Sequence, residues 1–210
     1  DSERSRGLGD VYKRQSTDLA WLFYTSGTTG RPKGVMITHG MIKTMALSYF
    51  ADVDQVHPSD TTLYAAPMSH GAGLYSIMHV LAGARHAIPV SGGFDEEEIF
   101  GLAETLQNVH MFAAPTMVKR LTTFSRKNGY DGDGIRTIVY AGGPMYLSDI
   151  IEAVEQFGSL FIQVYGQGEC PMGITVLPRF EVSDRDSEKW KKRLQLSLIH
   201  ISEPTRPLRI

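Results

Sequence analysis

Short apolar runs alternate with stretches of helical periodicity along most of the chain. Apolar runs bounded by Gly, Pro, Asn or Asp predict strands, and apolar positions three or four residues apart predict helices. The predicted strands are residues 19–24, 35–37, 62–66, 84–90, 109–113, 136–140 and 160–164. The predicted helices are residues 39–50, 74–82, a segment that begins at Asp95, 115–128 and 147–157. Strands and helices therefore follow one another in the order of βαβ units.

This order predicts an α/β fold, a layered and mostly parallel sheet with flanking helices. Acidic residues follow Asp95 where a helix N-terminus favours them, and Pro115 stands where the first helical position favours proline. No internal repeat or low-complexity linker divides the chain, so we expect one domain. In open α/β sheets, ligands bind at the carboxyl ends of the strands. The loops that follow the predicted strands are therefore the first candidates for a functional site.

The composition is that of an ordinary globular domain. The chain has 210 residues, 42% of them hydrophobic, a formal net charge of -2 and one Cys. These values exclude a disordered or fibrous class, and a single Cys cannot form an internal disulfide. The charge predicts no nucleic-acid partner, and residues 181–193, which mix both signs, predict a solvated loop or helix face. The absence of a long apolar span or a leader predicts a cytoplasmic protein without integral membrane contact. The sequence does not indicate an oligomeric state.

The two ends of the chain can be encoded by complementary DNA strands. The codons GAT GTG TAT AAG AGA CAG encode residues 10–15, and their reverse complement encodes residues 196–201. The match extends outward, so that residues 5–15 correspond to residues 196–206. Such an inverted repeat resembles a translated sequencing adaptor, and the alternative is two genuine tails with coincidental coding. We expect residues 1–15 and 196–210 to be adaptor-derived and non-native, and residues 16–195 to be the biological domain.

A loop dense in glycines and hydroxyls lies between the first two predicted strands. Residues 24–34 read Tyr-Thr-Ser-Gly-Thr-Thr-Gly-Arg-Pro-Lys-Gly. Glycines let backbone N–H groups approach phosphate oxygens, hydroxyls add donors or a Mg2+ ligand, and Lys33 supplies a positive charge. The loop is not a Walker loop, because no Gly precedes Lys33 and Gly34 stands where a Walker loop has Ser or Thr. The segment predicts a phosphate-binding loop, and the alternative is a flexible surface loop.

Residues 24–34 resemble the phosphate-binding signature of the adenylate-forming superfamily, which includes acyl-CoA synthetases, adenylation domains of peptide synthetases and firefly-type luciferases. Residues 66–73, Ala-Pro-Met-Ser-His-Gly-Ala-Gly, are similar to the family's loop near the acyl carboxylate. Residues 141–145, Ala-Gly-Gly-Pro-Met, are similar to its adenine-side loop. Residues 165–169, Tyr-Gly-Gln-Gly-Glu, are similar to its second nucleotide loop. Four motifs in the family's order indicate a partial N-terminal domain of such an enzyme.

The resemblance implies a role for individual residues of these motifs. Thr25 and Glu169 would hold Mg2+ on the ATP phosphates, and Tyr165 would lie along the adenine ring. Lys33 and Glu169, together with His70 beside the reacting carboxylate, would be the catalytic groups. The implied ATP- or AMP-binding residues are Thr25, Ser26, Gly27, Thr28, Thr29, Gly30, Lys33, Gly142, Gly143, Pro144, Tyr165, Gly166, Gln167 and Gly168.

Several of these residues have a purely structural alternative. His70 would otherwise be a helix-capping or packed histidine, and Tyr165 would otherwise be a buried core residue. Met68, Tyr75 and Met78 either line an acyl tunnel or belong to the core, where Met and aromatic residues at helical spacing are common.

One position departs from the family pattern. Gly168 stands where most relatives have Thr, which removes a hydroxyl that would face the phosphate and leaves that contact to backbone or water. Cys170 has no Lys, Arg or His near it in sequence, so we interpret it as a packing residue. His79 and His86 match no motif.

The resemblance implies ATP-dependent activation of a small carboxylic acid to an acyl-adenylate, followed by transfer to coenzyme A. The required cofactors would be ATP and Mg2+, with coenzyme A as the acceptor substrate. A luciferase-like oxygenase, a peptide-synthetase adenylation domain and a catalytically dead nucleotide-binding module remain alternatives. The family's C-terminal Lys and its ribose-binding Asp motif do not occur here, so we expect an incomplete fragment that is inactive alone. Neither the acid nor its chain length can be predicted.

Overall fold

The computed structural model describes residues 13–25 and 32–195, and it contains two sheets. The strands are β1 (Leu19–Thr25), β2 (Lys33–Thr38), β3 (Thr61–Leu63), β4 (Arg85–Ala87), β5 (Val109–Ala113), β6 (Ile135–Tyr140), β7 (Phe161–Gln167) and β8 (Cys170–Leu177). The helices are α1 (His39–Ser48), α2 (Gly71–Leu74), α3 (Ser76–Ala82), α4 (Glu96–Leu106), α5 (Pro115–Asn128), α6 (Leu147–Phe157), α7 (Arg179–Ser183) and α8 (Trp190–Gln195). A π-helical segment, Tyr49–Val53, continues α1.

The larger sheet has six strands in the order β4-β3-β5-β6-β7-β8. All neighbours in it are parallel except β7 and β8, which are antiparallel. Strands β1 and β2 form a separate antiparallel hairpin. The α/β class with a mostly parallel sheet and flanking helices is confirmed.

Both faces of the larger sheet are buried, as the continuous apolar runs of its central strands require. In β6, Ile138 and Tyr140 pack into one hydrophobic cluster and Val139 into the other, since neighbouring residues of a strand point to opposite faces. Helices α4, α5 and α6 cover the first face. Helices α1 and α3 and the β1–β2 hairpin cover the second. The sheet therefore forms a platform whose two faces are covered. Its two ends, where the strands begin and end, remain available for other interactions.

Local signals fix several helix ends where the sequence predicts them. The Asp95 carboxylate caps α4 by accepting a hydrogen bond from the Glu98 N–H at 2.8 Å, and Pro115 is the first residue of α5. Gly129 ends α5 in the left-handed conformation. Helix α6 and strand β5 have the predicted bounds.

Other elements differ from the prediction. The predicted helix 74–82 is two helices that meet at Tyr75, and the predicted helix 39–50 ends at Ser48 and changes to π-helical geometry. The predicted strands 62–66 and 84–90 are shorter in the structure, where β3 is Thr61–Leu63 and β4 is Arg85–Ala87. Strand β8 was not predicted, because it contains a proline and a glycine, which favour turns. It lies at the sheet edge, where a proline is tolerated.

The segment 181–193 is not a single loop or helix. It contains the end of α7 and the start of α8, and Arg193 forms an ion pair with Asp184 at 2.9 Å. The buried Val182 and Leu194 anchor these helices on the first hydrophobic cluster. The mixed charges lie on partly exposed faces, in keeping with the predicted solvated helix face.

Candidate active site

Three of the four motif loops meet at the carboxyl ends of the parallel strands. Loop 66–73 follows β3, loop 141–145 follows β6, and residues 165–169 end β7 and form the turn to β8. Parallel strands β3, β5, β6 and β7 deliver these loops to one edge of the sheet, where they surround a cavity of about 440 Å³. The cavity is lined by Phe23, Ala66, Pro67, Ser69, His70, Gly71, Ala72, Leu74, Tyr75, Phe112, Ala114, Met117, Ala141, Gly142, Val164, Gly166, Gln167 and Gly168.

The wall of the cavity is mainly apolar and aromatic. Phe23 comes from the hairpin, Tyr75 from the junction of α2 and α3, and Phe112 from β5. The Tyr75 and Phe112 rings lie 5.1 Å apart, within the range of favourable aromatic pairs. Met78 is fully buried in the second hydrophobic cluster, and Met68 is exposed. Of the three residues considered for an acyl tunnel, Tyr75 is the one in the cavity lining.

His70 lies at the cavity and also caps a helix. Its Nδ1 accepts a hydrogen bond from the Gly71 N–H at 2.7 Å, at the start of α2. A neutral ring that accepts at Nδ1 carries its proton on Nε2, which is then a hydrogen-bond donor. The ring packs edge to face against Phe23 at 5.9 Å. The capping alternative is thus observed, and the cap holds the imidazole in the cavity wall.

The loop after β6 exposes its backbone to the cavity. Gly142 has φ +84°, a conformation that side chains disfavour, and a Cβ added there would meet nothing within 4 Å. The glycine is required by the backbone rather than by packing. Gly143 lies near the Pro115 ring, Pro144 is exposed, and Met145 is buried and anchors the loop. Such a loop presents main-chain groups where a flat ring or a phosphate can approach them.

The turn after β7 separates two cavities. Gly166, Gln167 and Gly168 line the first cavity. Tyr165 is not among its described lining residues, and its hydroxyl accepts a hydrogen bond from Gln167 Nε2 at 2.7 Å. Glu169 is exposed and lines a second cavity of about 550 Å³ beside α1. The arrangement of Tyr165 against an adenine ring and of Glu169 on a metal ion remains a prediction.

The two ends of the predicted phosphate loop lie beside this turn. Thr25 ends β1 and pairs with Lys33 at the start of β2. A Cβ added to Gly168 would lie 2.5 Å from Thr25 Cγ2, so β1 ends directly against the β7–β8 turn. Lys33 is exposed. The remaining predicted residues of this loop, Ser26, Gly27, Thr28, Thr29 and Gly30, lie outside the described residues.

The predicted Mg2+ ligands have suitable chemistry. Thr25 offers a hydroxyl and Glu169 a carboxylate, both at least partly exposed. Mg2+ binds few protein oxygens and keeps its other positions for water and phosphate, so two such donors near a phosphate loop fit this ion. Within residues 13–25 and 32–195, no group of three or more His, Cys, Asp or Glu side chains is arranged to hold a metal by itself.

A buried charged network occupies the opposite, amino-terminal end of the sheet. Asp60 accepts hydrogen bonds from Arg136 at 2.5 Å and from His110 Nε2 at 3.1 Å, and Asp54 accepts one from Arg179 at 2.7 Å. Two carboxylates and two guanidinium groups thus balance each other around a histidine. Sequence reasoning missed this network, because its members come from five separate segments of the chain and match no motif.

Burial decides the protonation states in this network. It lowers the pKa of His110, with a further contribution from neighbouring His79, and it lowers the pKa of His79. Burial alone would raise the pKa of Asp60, but the His57 N–H, His110 and Arg136 together hold that pKa below its usual value. Both histidines are therefore neutral at pH 7, and Asp60 is ionised. These groups stabilise the platform and lie away from the cavity.

Comparisons with known proteins agree with the motifs. Relatives include a feruloyl-CoA synthase from Amycolatopsis sp, 30% identical over 80% of this chain and 34% of its own length. A 2-succinylbenzoate–CoA ligase from Arabidopsis thaliana is 32% identical over 80% of this chain and 30% of its own length. The chain thus spans about a third of the length of the curated relatives it matches.

Solved structures of related enzymes have a similar fold over most of this chain. O-succinylbenzoate coenzyme A synthetase from Bacillus subtilis in complex with AMP matches with a TM-score of 0.67 and 28% identity, over 78% of this chain and 41% of that one. ATP-bound MatB from Rhodopseudomonas palustris matches with a TM-score of 0.68 and 28% identity, over 79% and 32%. Among the described residues, none of the helices is long and apolar enough to cross a membrane. The profile of the AMP-binding enzymes matches residues 2–195, and the chain therefore belongs to the AMP-binding enzyme family.

Proposed function

We propose that this chain supplies the phosphate-binding and acid-binding parts of an acid:CoA ligase, which converts a carboxylic acid and ATP to an acyl-adenylate and then to an acyl-CoA. The observation that carries the proposal is the meeting of loops 66–73, 141–145 and 165–169 at one cavity. These loops are far apart in sequence, and each resembles a family motif. The similar proteins are named as CoA synthases and CoA ligases, which favours coenzyme A as the acceptor over a luciferase-like reaction or transfer to a peptide carrier.

In this proposal the cavity holds the acyl group and its carboxylate. The apolar wall of Phe23, Tyr75 and Phe112 excludes water and suits a fatty or aryl group. The Nε2–H of His70 donates to a carboxylate oxygen and orients it, because Nδ1 is held by the cap of α2. A volume of about 440 Å³ is within the usual range of small-molecule pockets.

The phosphate side consists of the hairpin end and the two glycine-containing loops. Gly142 and Gly168 allow the backbone to approach the nucleotide closely, and Lys33 adds a positive charge. Thr25 and Glu169 would hold Mg2+, which supplies charge neutralisation on the phosphates when bound. Positioning and electrostatics carry the first step: a carboxylate oxygen forms a bond to the α-phosphorus, and pyrophosphate leaves. The thiol of coenzyme A then displaces AMP from the acyl carbon.

We also propose that residues 16–195 are the domain proper and that these 210 residues alone do not turn over. The chain spans about a third of the length of the matched relatives, and the C-terminal Lys and ribose-binding Asp motif that the family resemblance implies have no counterpart in this sequence. The chain alone should therefore release pyrophosphate at least about a hundredfold more slowly than a full-length enzyme, the usual effect of losing one transition-state charge.

The test is an assay on the full-length protein from the complete reading frame. Pyrophosphate release would be measured with MgATP and a panel of fatty and aryl acids, with and without coenzyme A, and the thioester identified by mass spectrometry. The proposal expects acid-dependent pyrophosphate release and an acyl-CoA product. Accumulation of the acyl-adenylate with every thiol tested would contradict the proposal that coenzyme A is the acceptor. No release with any acid, despite bound ATP, would contradict the whole proposal.

A further inference from the structure

We infer that Gly168 is a positioning residue for Thr25: the absence of a side chain at 168 lets the Thr25 Cγ2 methyl lie against the β7–β8 turn, and this contact decides where the Thr25 hydroxyl points. The inference rests on the proposed function, because the relevant role of Thr25 is to bind MgATP. It goes further by explaining why this chain has glycine at a position where the family usually has threonine.

The contact between the two residues is close. A Cβ at residue 168 would lie 2.5 Å from Thr25 Cγ2, 3.3 Å from Phe23 Cδ1 and 3.6 Å from Phe23 Cε1. Carbon atoms in contact lie about 3.5–4 Å apart, so the first distance is a severe overlap. Even the smallest side chain at 168 therefore requires one of these neighbours to move.

The backbone does not explain the glycine. The φ of Gly168 lies outside the left-handed region, whereas Gly142 has φ +84° and no neighbour within 4 Å of an added Cβ. Gly142 is thus required by its backbone conformation, and Gly168 by the space that Thr25 and Phe23 occupy. Glycine is therefore required at these two positions of the site for different physical reasons.

Thr25 is the neighbour that would move. Phe23, which packs edge to face against Trp21 and His70, would need to give by only a few tenths of an ångström, whereas the overlap with Thr25 is severe. The Thr25 backbone is held by its pairing with Lys33. What remains is rotation of the Thr25 side chain about χ1, which moves the Cγ2 methyl away from residue 168 and carries the hydroxyl to a different position. A β-branched residue is restricted in χ1, so the rotation costs energy and displaces the hydroxyl.

The consequence is a link between the phosphate loop and the second nucleotide loop. Thr25 leads into residues 26–30, and Gly168 precedes Glu169, so their contact sets the spacing of the two predicted Mg2+ donors. A threonine at 168, the residue usual in the family, would fit only if the two loops lay farther apart than they do here. In this chain, Gly168→Thr should therefore impair MgATP binding rather than improve it.

The test is a double-substitution cycle in the full-length protein: Gly168→Ala, Thr25→Ser, and both together. Serine keeps the hydroxyl and removes the Cγ2 methyl that the new Cβ would strike. We expect Gly168→Ala to raise the KM for MgATP about tenfold when Thr25 is retained, with a smaller change in the KM for the acid. In the Thr25→Ser background the same substitution should change it less than about threefold. Gly93→Ala, at a glycine with open space and an ordinary φ, is the matched control.

Unfolding measurements on the same four proteins separate a structural contact from a positioning role. Coupling in urea denaturation without a change in the KM for MgATP would overturn the inference, because the contact would then be structural only. An equal effect of Gly168→Ala in both backgrounds, or no effect in either, would overturn it as well. If the unsubstituted protein binds MgATP but releases no pyrophosphate with any acid, the proposed function fails. The cycle can then be completed with MgATP dissociation constants, which judge the inference separately.

Discussion

The two ends of the central sheet are built on opposite principles. At the amino-terminal end, hydrogen bonds and ion pairs of 2.5–3.1 Å join Asp60 to Arg136 and His110, and Asp54 to Arg179. At the carboxyl-terminal end, glycine-containing loops surround an open cavity, and His70 and Glu169 are exposed. The charged groups at the amino-terminal end pair with one another. Those at the carboxyl-terminal end remain available to a ligand. The buried histidines whose pKa is lowered, His79 and His110, therefore lie with the charged network and not in the cavity lining.

The largest effect is expected from breaking the network. Asp60→Asn leaves Arg136 and His110 without their carboxylate in a buried position, which costs about 3–5 kcal/mol of the free energy of unfolding. Urea denaturation would measure the loss, with the exposed Asp52→Asn as control, expected to change stability by less than about 0.5 kcal/mol. The KM for MgATP of the remaining folded protein should not change. If Asp60→Asn changed the KM for MgATP and left the stability unchanged, the amino-terminal end would be the ligand-binding end, and the roles given to the two ends would be wrong.

At the open end, substitutions should lower activity and leave stability alone. Lys33→Ala and Glu169→Gln should each slow pyrophosphate release by about one to three orders of magnitude, the usual effect of losing one pre-organised charge contact. Both side chains are exposed, so the unfolding midpoint should stay constant. The matched controls are Lys127→Ala and Glu104→Gln, which are exposed on α5 and α4. Normal kinetics in both site variants would remove the phosphate-loop assignment.

The network should also make stability depend on pH. Because burial lowers the native pKa of His79 and His110 below the unfolded value of about 6.5, the unfolded chain binds more protons as pH falls through that value. The stabilisation that the neutral histidines contribute should therefore be fully present above pH 6.5. The free energy of unfolding should decrease by on the order of 1–3 kcal/mol toward pH 5. Urea denaturation at several pH values would show this, and His110→Gln should flatten the curve. A stability that increases toward pH 5 would show that the histidines are charged in the native state.

The smallest effect is expected at the loop after β6. Gly142→Ala forces a side chain into a left-handed conformation without any steric overlap, which costs about 1 kcal/mol of the free energy of unfolding. The new methyl group would stand at the cavity wall, so the KM for MgATP should increase as well. Gly93→Ala, without a positive φ, should change neither quantity. A loss of stability much above about 2 kcal/mol would place unseen packing against this loop.

Local patterns predicted the parts of the fold that depend on local signals. Strand β5 and helix α6 have the predicted bounds, because their apolar periodicity and terminal residues are unambiguous. Strand β8 was missed since its pairing with β7 overrides the turn preference of a proline and a glycine. At the break between α2 and α3, Tyr75 packs against Tyr49 and Phe112, a long-range contact that no local pattern reveals.

The candidate site and the charged network also differ in how much of each can be predicted from local sequence patterns. The motifs at the candidate site are contiguous, so the sequence identifies them, and the parallel strands bring three of them to one cavity. Phe23 and Phe112 of the cavity wall match no motif and were not predicted. The network joins Asp60 to Arg136 across 76 positions, and each member alone resembles a surface charge. The contact of Gly168 with Thr25 was also beyond sequence reasoning, because the distance between two loops is set by the packing of the hairpin on the sheet.

Hydrogen exchange on the full-length protein, with and without MgATP and a substrate acid, would show whether the three loops form one ligand site apart from the charged network. Amides of residues 66–73, 141–145 and 165–169 should gain protection together, because the three loops form one binding site. Amides around Asp60, His110 and Arg136 should exchange at the same rate in both states, since that end of the sheet does not contact the ligands. Protection confined to one loop, or centred on the network, would contradict the account.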